Sequence, residues 1–322
     1  MALATTINSW VALIRNALEG CGIAADALLL QVGIQPEQLQ DHSARVPTSQ
    51  VIRLWHLAVE ETGDPCFGLE VGKRWHPTSF HALGFAWLAS ETLDEALQCL
   101  VRYSRTVTTL ARLSVRPTSD GLDLEIDTNP VVGLEPAPAT LDAGLGSVVT
   151  MCRMSAGEGF RPLAVFVRGD KSACADRYEN FFRAPVSFEA ERTAVRFAAE
   201  DLAKLLPASN MELAHLNEQV VSRYLAQLDR SNVAMRVKAY LVDHLPAGNT
   251  HKEDVARHLN LSVRSLQRHL KSQNTSYNDL LEQTRRELAA RFLRSSGMSI
   301  LSLIHISEPT RQPATSRMPS SA

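Results

Sequence analysis

The stretch "LSVRSLQRHLKSQNTSYNDLLEQTRRELAARFL", Leu261 to Leu293, decides how the C-terminal third of this chain folds. Ser262 stands where a helix wants its N-cap, with a hydroxyl that can accept from the first-turn amides. After it, Leu266 and Leu270 lie four residues apart on one helical face and belong to a core. Arg264, Ser265, Gln267, Arg268 and Lys271 are left to project elsewhere. Arg can bond bidentately to guanine O6/N7 and Gln to adenine N6/N7, while Lys and Ser hold phosphates. Upstream, "THKEDVARHL" opens with Thr250 and Glu253 at capping-box spacing, runs through Val255, Ala256 and Leu259, and meets the tight connection "LNLS". An earlier helix, "AMRVKAYLVDHL", offers Val237, Tyr240, Leu241 and Leu245 and ends at Pro246 and Gly248. Two helices joined by a tight turn, the second basic on its outer face, fit a helix-turn-helix. On the residues alone, a solvated charged face on a small helical bundle remains the alternative.

A resemblance separates the two. The pattern S-x-R-x-L-Q-R-x-L at Ser262 to Leu270, followed by S-Y-x-x-L-L-x-x-x-R-x-x-x-A-x-x-F-L from Ser276 to Leu293, resembles the AraC/XylS family of transcription regulators. The resemblance implies that Arg264, Gln267 and Arg268 read bases in the major groove, with Ser265 and Lys271 as weaker contributors. Where the family usually has Gly this chain has Asn274, the best substitute for a left-handed turn. Leu280, Thr284, Leu288 and Phe292 repeat every four residues along the long helix that joins two helix-turn-helix units in the family. Arg285 matches the family's Arg and reads as structural rather than as a phosphate contact.

That family pattern calls for a second helix-turn-helix after the long helix, and "SGMSI" supplies its opening. "LSLIHISEPTRQPATSRMPSSA", residues 301–322, then supplies neither an apolar nor a basic helix, and its prolines and Ser/Thr content predict disorder. The string "LSLIHISEPTR" resembles the conceptual translation of a transposase-type sequencing-library adapter. The expectation is a non-native tail on a DNA-binding domain that is incomplete after Ile300.

Charge separates the chain the same way. Residues 1–232 carry 20 Lys/Arg against 28 Asp/Glu, whereas 233–300 carry 11 against 6, so only the C-terminal module is suited to a polyanion. At 322 residues, two domains are the default. No apolar run approaches the roughly 20 residues of a membrane span, and the N-terminus lacks the marks of a signal peptide, so a cytoplasmic chain is the simplest expectation. Cys21, Cys66, Cys99, Cys152 and Cys174 are scattered without a C-x-x-C pair, and read as buried reduced thiols rather than a zinc site.

Residues 1 to about 105 read mainly as helices. In "TSQVIRLWHLAVEETG", Val51, Leu54, Trp55 and Ala58 recur at helical spacing behind a cap at Thr48 or Ser49. "SETLDEALQCLVRYSRTV" carries a cap within Ser90 to Asp94 and an apolar face of Leu93, Ala96, Leu97, Leu100 and Tyr103. Period-two alternation then takes over. Leu113 and Val115 precede the turn Ser119-Asp120-Gly121, and Leu122, Leu124 and Ile126 follow it, which predicts a β-hairpin. "ATLDAGLGSVVTMCRMSAG" returns to helix, "PLAVFVRG" reads as a buried strand, and two short strands follow near Val186 to Phe188 and Ala194 to Phe197. The fold class is therefore an α+β N-terminal domain followed by an all-α helix-turn-helix domain. The expected limits are 1–205 for a sensor, 206–232 for a helical linker, 233–300 for the DNA-binding module and 301–322 for the tail. In the linker, Leu213, Leu216, Val220, Tyr224 and Leu228 serve either intramolecular docking or a homodimer interface.

The N-terminal half has its own likeness. "R-x-W" at Arg53 to Trp55, "ALGFAWLASETLDEALQCLVRYSR" and "YENFFRAPVSFEAERTAVRFAAEDLAKLLPASN" resemble the arabinose-binding-type sensor domain attached to a subset of these regulators. That implies an effector pocket without naming the effector. Trp55, Trp75, His76, His81, Trp87 and Tyr103 are the candidate lining, as aromatic walls with polar handles. His76 and His81 have no nearby ligand-type partner, so no metal and no cofactor is expected. G-x-S-x-G, P-loop, H-E-x-x-H and G-x-G-x-x-G motifs are absent, and "GLGS" at Gly144 to Ser147 reads as a close-packing site within a helix. The expected partners are double-stranded DNA and a small-molecule effector. The alternative is a sensor or dimerisation fragment without specific DNA binding.

Overall fold

The computed structural model describes residues 4–41, 44–129, 134–170, 172–228, 233–245, 250–273 and 275–294. The tail, the Met298 to Ile300 junction, Asn274, Pro246 and Gly248 lie outside them. The chain divides into two units, 1–228 and 229–322.

The first unit opens with β1 (Thr5–Ile7), α1 (Asn8–Gly20), α2 (Ala25–Gln31) and β2 (Arg45–Pro47), which pairs antiparallel with β1. Helices α3 (Thr48–Thr62), α4 (Phe67–Lys73), α5 (Ala82–Ala89) and α6 (Leu93–Tyr103) follow. Then come β3 (Ala111–Pro117), β4 (Gly121–Thr128), the long α7 (Ala139–Ala156), β5 (Ala164–Phe166), α8 (Ala175–Phe182), β6 (Val186–Ser187), β7 (Ala194–Ala198), α9 (Ala199–Ala203) and α10 (Met211–Leu228). The sheet runs in the order β3-β4-β7-β5-β6, antiparallel except for the β5–β6 pair. The hairpin forms where the alternation places it, with Leu113 opposite Ile126 and Val115 opposite Leu124.

One face of β4 turns Leu122, Leu124 and Ile126 into the core. The other carries Asp123, fully buried beneath arginines: Arg196 at 2.6 Å and Arg192 at 2.8 Å, with Arg116 at 3.8 Å. Arg116 and Arg196 are the cross-strand neighbours of Asp123 on either side, so strand register builds this cluster. Burial alone would raise the Asp123 carboxyl, but the hydrogen bonds from Arg196 and Arg192 outweigh it and hold it below its ordinary range.

Helices α4 and α7 meet backbone to backbone. A Cβ on Gly68 would fall 2.1 Å from the Ala139 carbonyl oxygen, and one on Gly72 would fall 2.8 Å from Cα of Gly146. The close-packing reading of "GLGS" therefore holds at Gly146.

One local cap expectation needs correction and another holds. Thr48 lies inside α3 rather than capping it, fully buried with its hydroxyl unpartnered among the described residues, and Pro47 takes the cap position. The cap of α6 is Thr92, whose hydroxyl accepts from the Glu95 amide at 3.3 Å. The thiol reading also changes. Cys66 and Cys174 form a disulfide with Cα atoms 6.3 Å apart, because their 108-residue separation in sequence closes when α4 and α8 both dock on α7. Cys21 is exposed and Cys99 half-buried, leaving Cys152 as a buried thiol whose ionisation burial opposes.

The described elements of the second unit are helices: α11 (Val233–His244), α12 (Lys252–His258), α13 (Val263–Ser272) and α14 (Tyr277–Arg294). Val237, Tyr240, Leu241, Leu245, Val255, Ala256, Leu259, Leu266 and Leu270 share one core with Tyr277, Leu280 and Leu288. Thr284 continues the four-residue repeat, fully buried, by returning its hydroxyl to the Leu280 carbonyl at 2.7 Å. The Thr250–Glu253 capping box does not form. His251 occupies the cap position of α12, and Thr250 is buried with its carbonyl accepting from the Tyr277 hydroxyl.

Candidate functional site

In the second unit the candidate site is the outer face of α13. Ser262 caps it, its Oγ accepting from the Ser265 amide at 3.2 Å. Helix α12 ends in a left-handed Asn260 (φ 56°). The Leu261 amide returns to the Ala256 carbonyl at 2.8 Å and the Asn260 amide to Arg257 at 3.0 Å, the paired bonds of a Schellman end. Asn tolerates that conformation better than other non-glycine residues, so "LNLS" turns the chain within four residues. Leu266 and Leu270 anchor the inner face of α13 at 0 and 1% exposure. Arg264, Gln267, Arg268 and Lys271 are exposed, whereas Ser265 is half-buried and close to the cap, 3.1 Å from the Ser262 hydroxyl. Arg285 is mostly covered and lies 3.4 Å from Glu282 on its own helix.

In the first unit the candidate site is a narrow cavity with about 70 Å³ of interior space. The β1 end and α1 contribute Thr6 and Trp10, α3 contributes Val51 and Trp55, and the sheet contributes Leu113, Ile126 and Thr128. Phe80 and Leu110 close it, and one face of α7 (Thr140, Leu141, Gly144, Ser147, Val148) forms the remaining wall. Thr6 and Thr108 bond each other at 2.8 Å, and Ser104 bonds the Val101 carbonyl at 3.2 Å. Arg45 buttresses the Ser104 to Thr108 segment, donating to the Thr106 carbonyl while also holding the Thr5 carbonyl at 2.9 Å.

Of the six aromatic and histidine candidates, the cavity collects Trp55. Trp75 stands one ring behind the wall, edge-on to Phe80 with centroids 5.6 Å apart. Trp87 is buried in the core, its indole donating to Ser155 Oγ at 2.9 Å. Tyr103 donates to Glu218 at 3.0 Å, beside Arg102 at 2.7 Å, and so ties α6 to α10. Burial first, and the Glu218 charge second, raise its phenol well above the ordinary value. His76 is exposed and bonds Thr78 at 3.1 Å, and His81 occupies a turn at φ 52° before α5. Trp10, Phe80, Thr140 and Ser147 carry no sequence signal as lining residues, because they converge only through tertiary packing.

A second opening, between α4, α7 and α8, carries both signs of charge among apolar side chains, with Lys73, Arg153, Arg177 and Arg183 beside Glu70 and Glu158, and Leu69, Met154 and Phe181 in the same lining. Near it, Asp64, Cys66 and Cys174 bring ligand-type atoms within 4.8 Å. The two sulfurs are bonded to each other, and Asp64 Oδ1 accepts from Arg177 at 2.6 Å and from the Cys66 amide at 2.9 Å.

Residues 22–206 match the family model of the N-terminal arabinose-binding domain of AraC transcription regulators. The chain belongs to the AraC family of transcription regulators. The matched span of this AraC-family chain holds the whole described cavity lining except Thr6 and Trp10. It is 26% identical to the ornithine utilization regulator of Pseudomonas aeruginosa, over 87% of this chain and 82% of the relative. It is 21% identical to the HTH-type transcriptional regulator VqsM of the same species, over 72% and 73% respectively. The crystal structure of the transcriptional regulator CdpR from Pseudomonas aeruginosa aligns with a TM-score of 0.50 at 19% identity, covering 88% of this chain and 89% of that one, a likeness of fold. Among the described residues, no helix is long and apolar enough to cross a membrane.

Proposed function

We propose that this AraC-family chain is a sequence-specific DNA-binding regulator controlled by a small molecule. On this reading the second unit is a helix-turn-helix, with α12 and α13 as its two helices. Arg264, Gln267 and Arg268 read base edges in the major groove, while Ser265 and Lys271 steady the helix against phosphates. The observation that carries it is α13 itself: a capped helix with two leucines fixed in the core and four polar or cationic side chains exposed opposite. The surplus of cations in residues 233–300 supports it.

The effector enters the cavity of the first unit and shifts that unit between two conformations, which requires it to bind one of them more tightly. The name of the ornithine utilization regulator raises ornithine as a candidate. No ionisable side chain among the described lining is placed to pair with its charges.

Selection from a random duplex pool, followed by fluorescence anisotropy across a salt series, tests the DNA half. Specific binding returns a consensus, outcompetes unrelated duplex, and weakens steeply between 50 and 200 mM salt, on the order of a tenfold loss or more. A pool with no consensus, bound weakly and indifferently, favours the sensor or dimerisation fragment instead.

A further inference from the structure

We propose that the cavity of the first unit takes an uncharged, mainly hydrocarbon molecule whose hydrogen-bonding group docks on one of two α7 hydroxyls, that of Thr140 or that of Ser147. The inference rests on the effector reading above and names the class of effector.

Among the described residues no Asp, Glu, Lys, Arg or His lines the cavity, and its open surface is almost wholly apolar. A carboxylate or ammonium placed there would lose its hydration without a partner, which is among the costliest arrangements in a protein interior. A hydrocarbon body gains from the same burial.

Thr140 Oγ1 and Ser147 Oγ are buried and have no hydrogen-bond partner among the described residues. Thr62, Ser90 and Thr284 return their hydroxyls to the preceding turn, on Ala58 at 2.6 Å, Ala86 at 2.9 Å and Leu280 at 2.7 Å, whereas Thr48 at the start of α3 and Thr140 near the start of α7 have no preceding helical turn to bond. Thr140 and Ser147 line the cavity, seven residues apart on one face of α7, about 10.5 Å along the axis. Gly144 lies between them and leaves that strip of helix bare. Buried polar groups in folded proteins are nearly always satisfied, and an apolar void offers water too few partners to do it. A ligand hydroxyl, carbonyl or amide reaching either position supplies the missing bond.

The interior, at about 70 Å³, is about half the roughly 150 Å³ that takes a benzene ring, and its walls include the rings of Trp10, Trp55 and Phe80, so the body that fits is a short, slender chain rather than a ring.

The test uses the full chain. Trp10 and Trp55 stand in the wall, so intrinsic tryptophan fluorescence is followed while n-butanol through n-decanol, indole or L-lysine is added. The proposal predicts saturable one-to-one binding, with Kd falling about three- to fourfold per added methylene until the cavity is filled. L-Lysine leaves the signal unchanged. The alkanol and indole arms test chain against ring: the chain binds and the ring does not. Ser147→Ala and Thr140→Val are each made: at least one weakens binding about three- to tenfold, while the ligand-free melting temperature holds or rises because an orphaned hydroxyl is gone. Saturable L-lysine binding that quenches Trp10 or Trp55, or neutral-ligand affinity unchanged in both variants, overturns it. Selective duplex binding without any neutral ligand sinks this inference alone. Neutral-ligand binding that leaves duplex affinity unmoved keeps the ligand class and sinks the regulatory reading.

Discussion

Helices α7 and α13 each present their candidate functional side chains along one face, but α13 faces water and α7 faces the interior. On α13 the contrast between buried Leu266 and Leu270 and exposed Arg264, Gln267, Arg268 and Lys271 is the helical period itself. On α7 nearly every turn is buried, from Ala143 and Leu145 on to Val149 and Met151, so nothing in its pattern separates the side that meets the cavity from the sides that meet α4 or the sheet. A surface site made by one helix declares itself locally. A cavity is assembled from segments as far apart as Thr6 and Val148, and its membership is a tertiary fact.

That contrast can be broken at its strongest point first. Leu266→Ala removes a fully buried side chain from the small core of the second unit and is expected to destabilise that unit by about 2–5 kcal/mol. Calorimetry should show its transition lowered and that of the first unit in place. A single shared transition that moves as a whole would deny the division into two units.

Gly68→Ala probes α7 from its other side. The added Cβ meets the Ala139 carbonyl, and overpacking of this kind costs about 1–3 kcal/mol. The melting temperature of the first unit should fall, and an unchanged value would show that α4 and α7 slide apart freely.

The comparison also explains which parts of the fold were legible. The hairpin followed from alternation around Ser119-Asp120-Gly121, and the core of the second unit followed from four-residue spacing. The Thr250 cap failed because its competitor was tertiary: Tyr277, 27 residues away, takes the Thr250 carbonyl and fixes that residue in the core. The Cys66–Cys174 bond and the Asp123 cluster were hidden for the same reason, since strand register and helix docking bring their members together. Within the candidate pocket, aromatic residues were the only lead available, and Trp87 and Tyr103 show why it misled. Large aromatics fill cores as readily as they line cavities, and both are held by partners away from the cavity.

Asp123→Asn sharpens the account of the sheet. Its arginine partners are a quarter to a half exposed, so the expected loss at pH 7 is only about 1 kcal/mol. The Asp123 carboxyl is depressed in the folded state, so its contribution is complete above the unfolded carboxyl value near ~4 and disappears as pH falls through the folded value. Stability of the two proteins measured by urea titration should differ at pH 7 and converge in acid; a difference that grows in acid would contradict the assigned sign.

The smallest expected effect is at the start of α13. Ser262→Ala removes the cap and should cost about 0.5–1 kcal/mol in the stability of the second unit. Urea titration of the variant would read it, and no loss would mean that the cap bond is not formed in solution.

The central claim is that the exposed face of α13 reads DNA, and Arg268→Ala tests it most directly. With a selected duplex and its single-base variants, anisotropy should show binding weakened by about 1–3 kcal/mol and discrimination relaxed at one base pair, while the melting temperature stays at the wild-type value. Wild-type affinity and unchanged base preference in a folded variant would contradict the assignment.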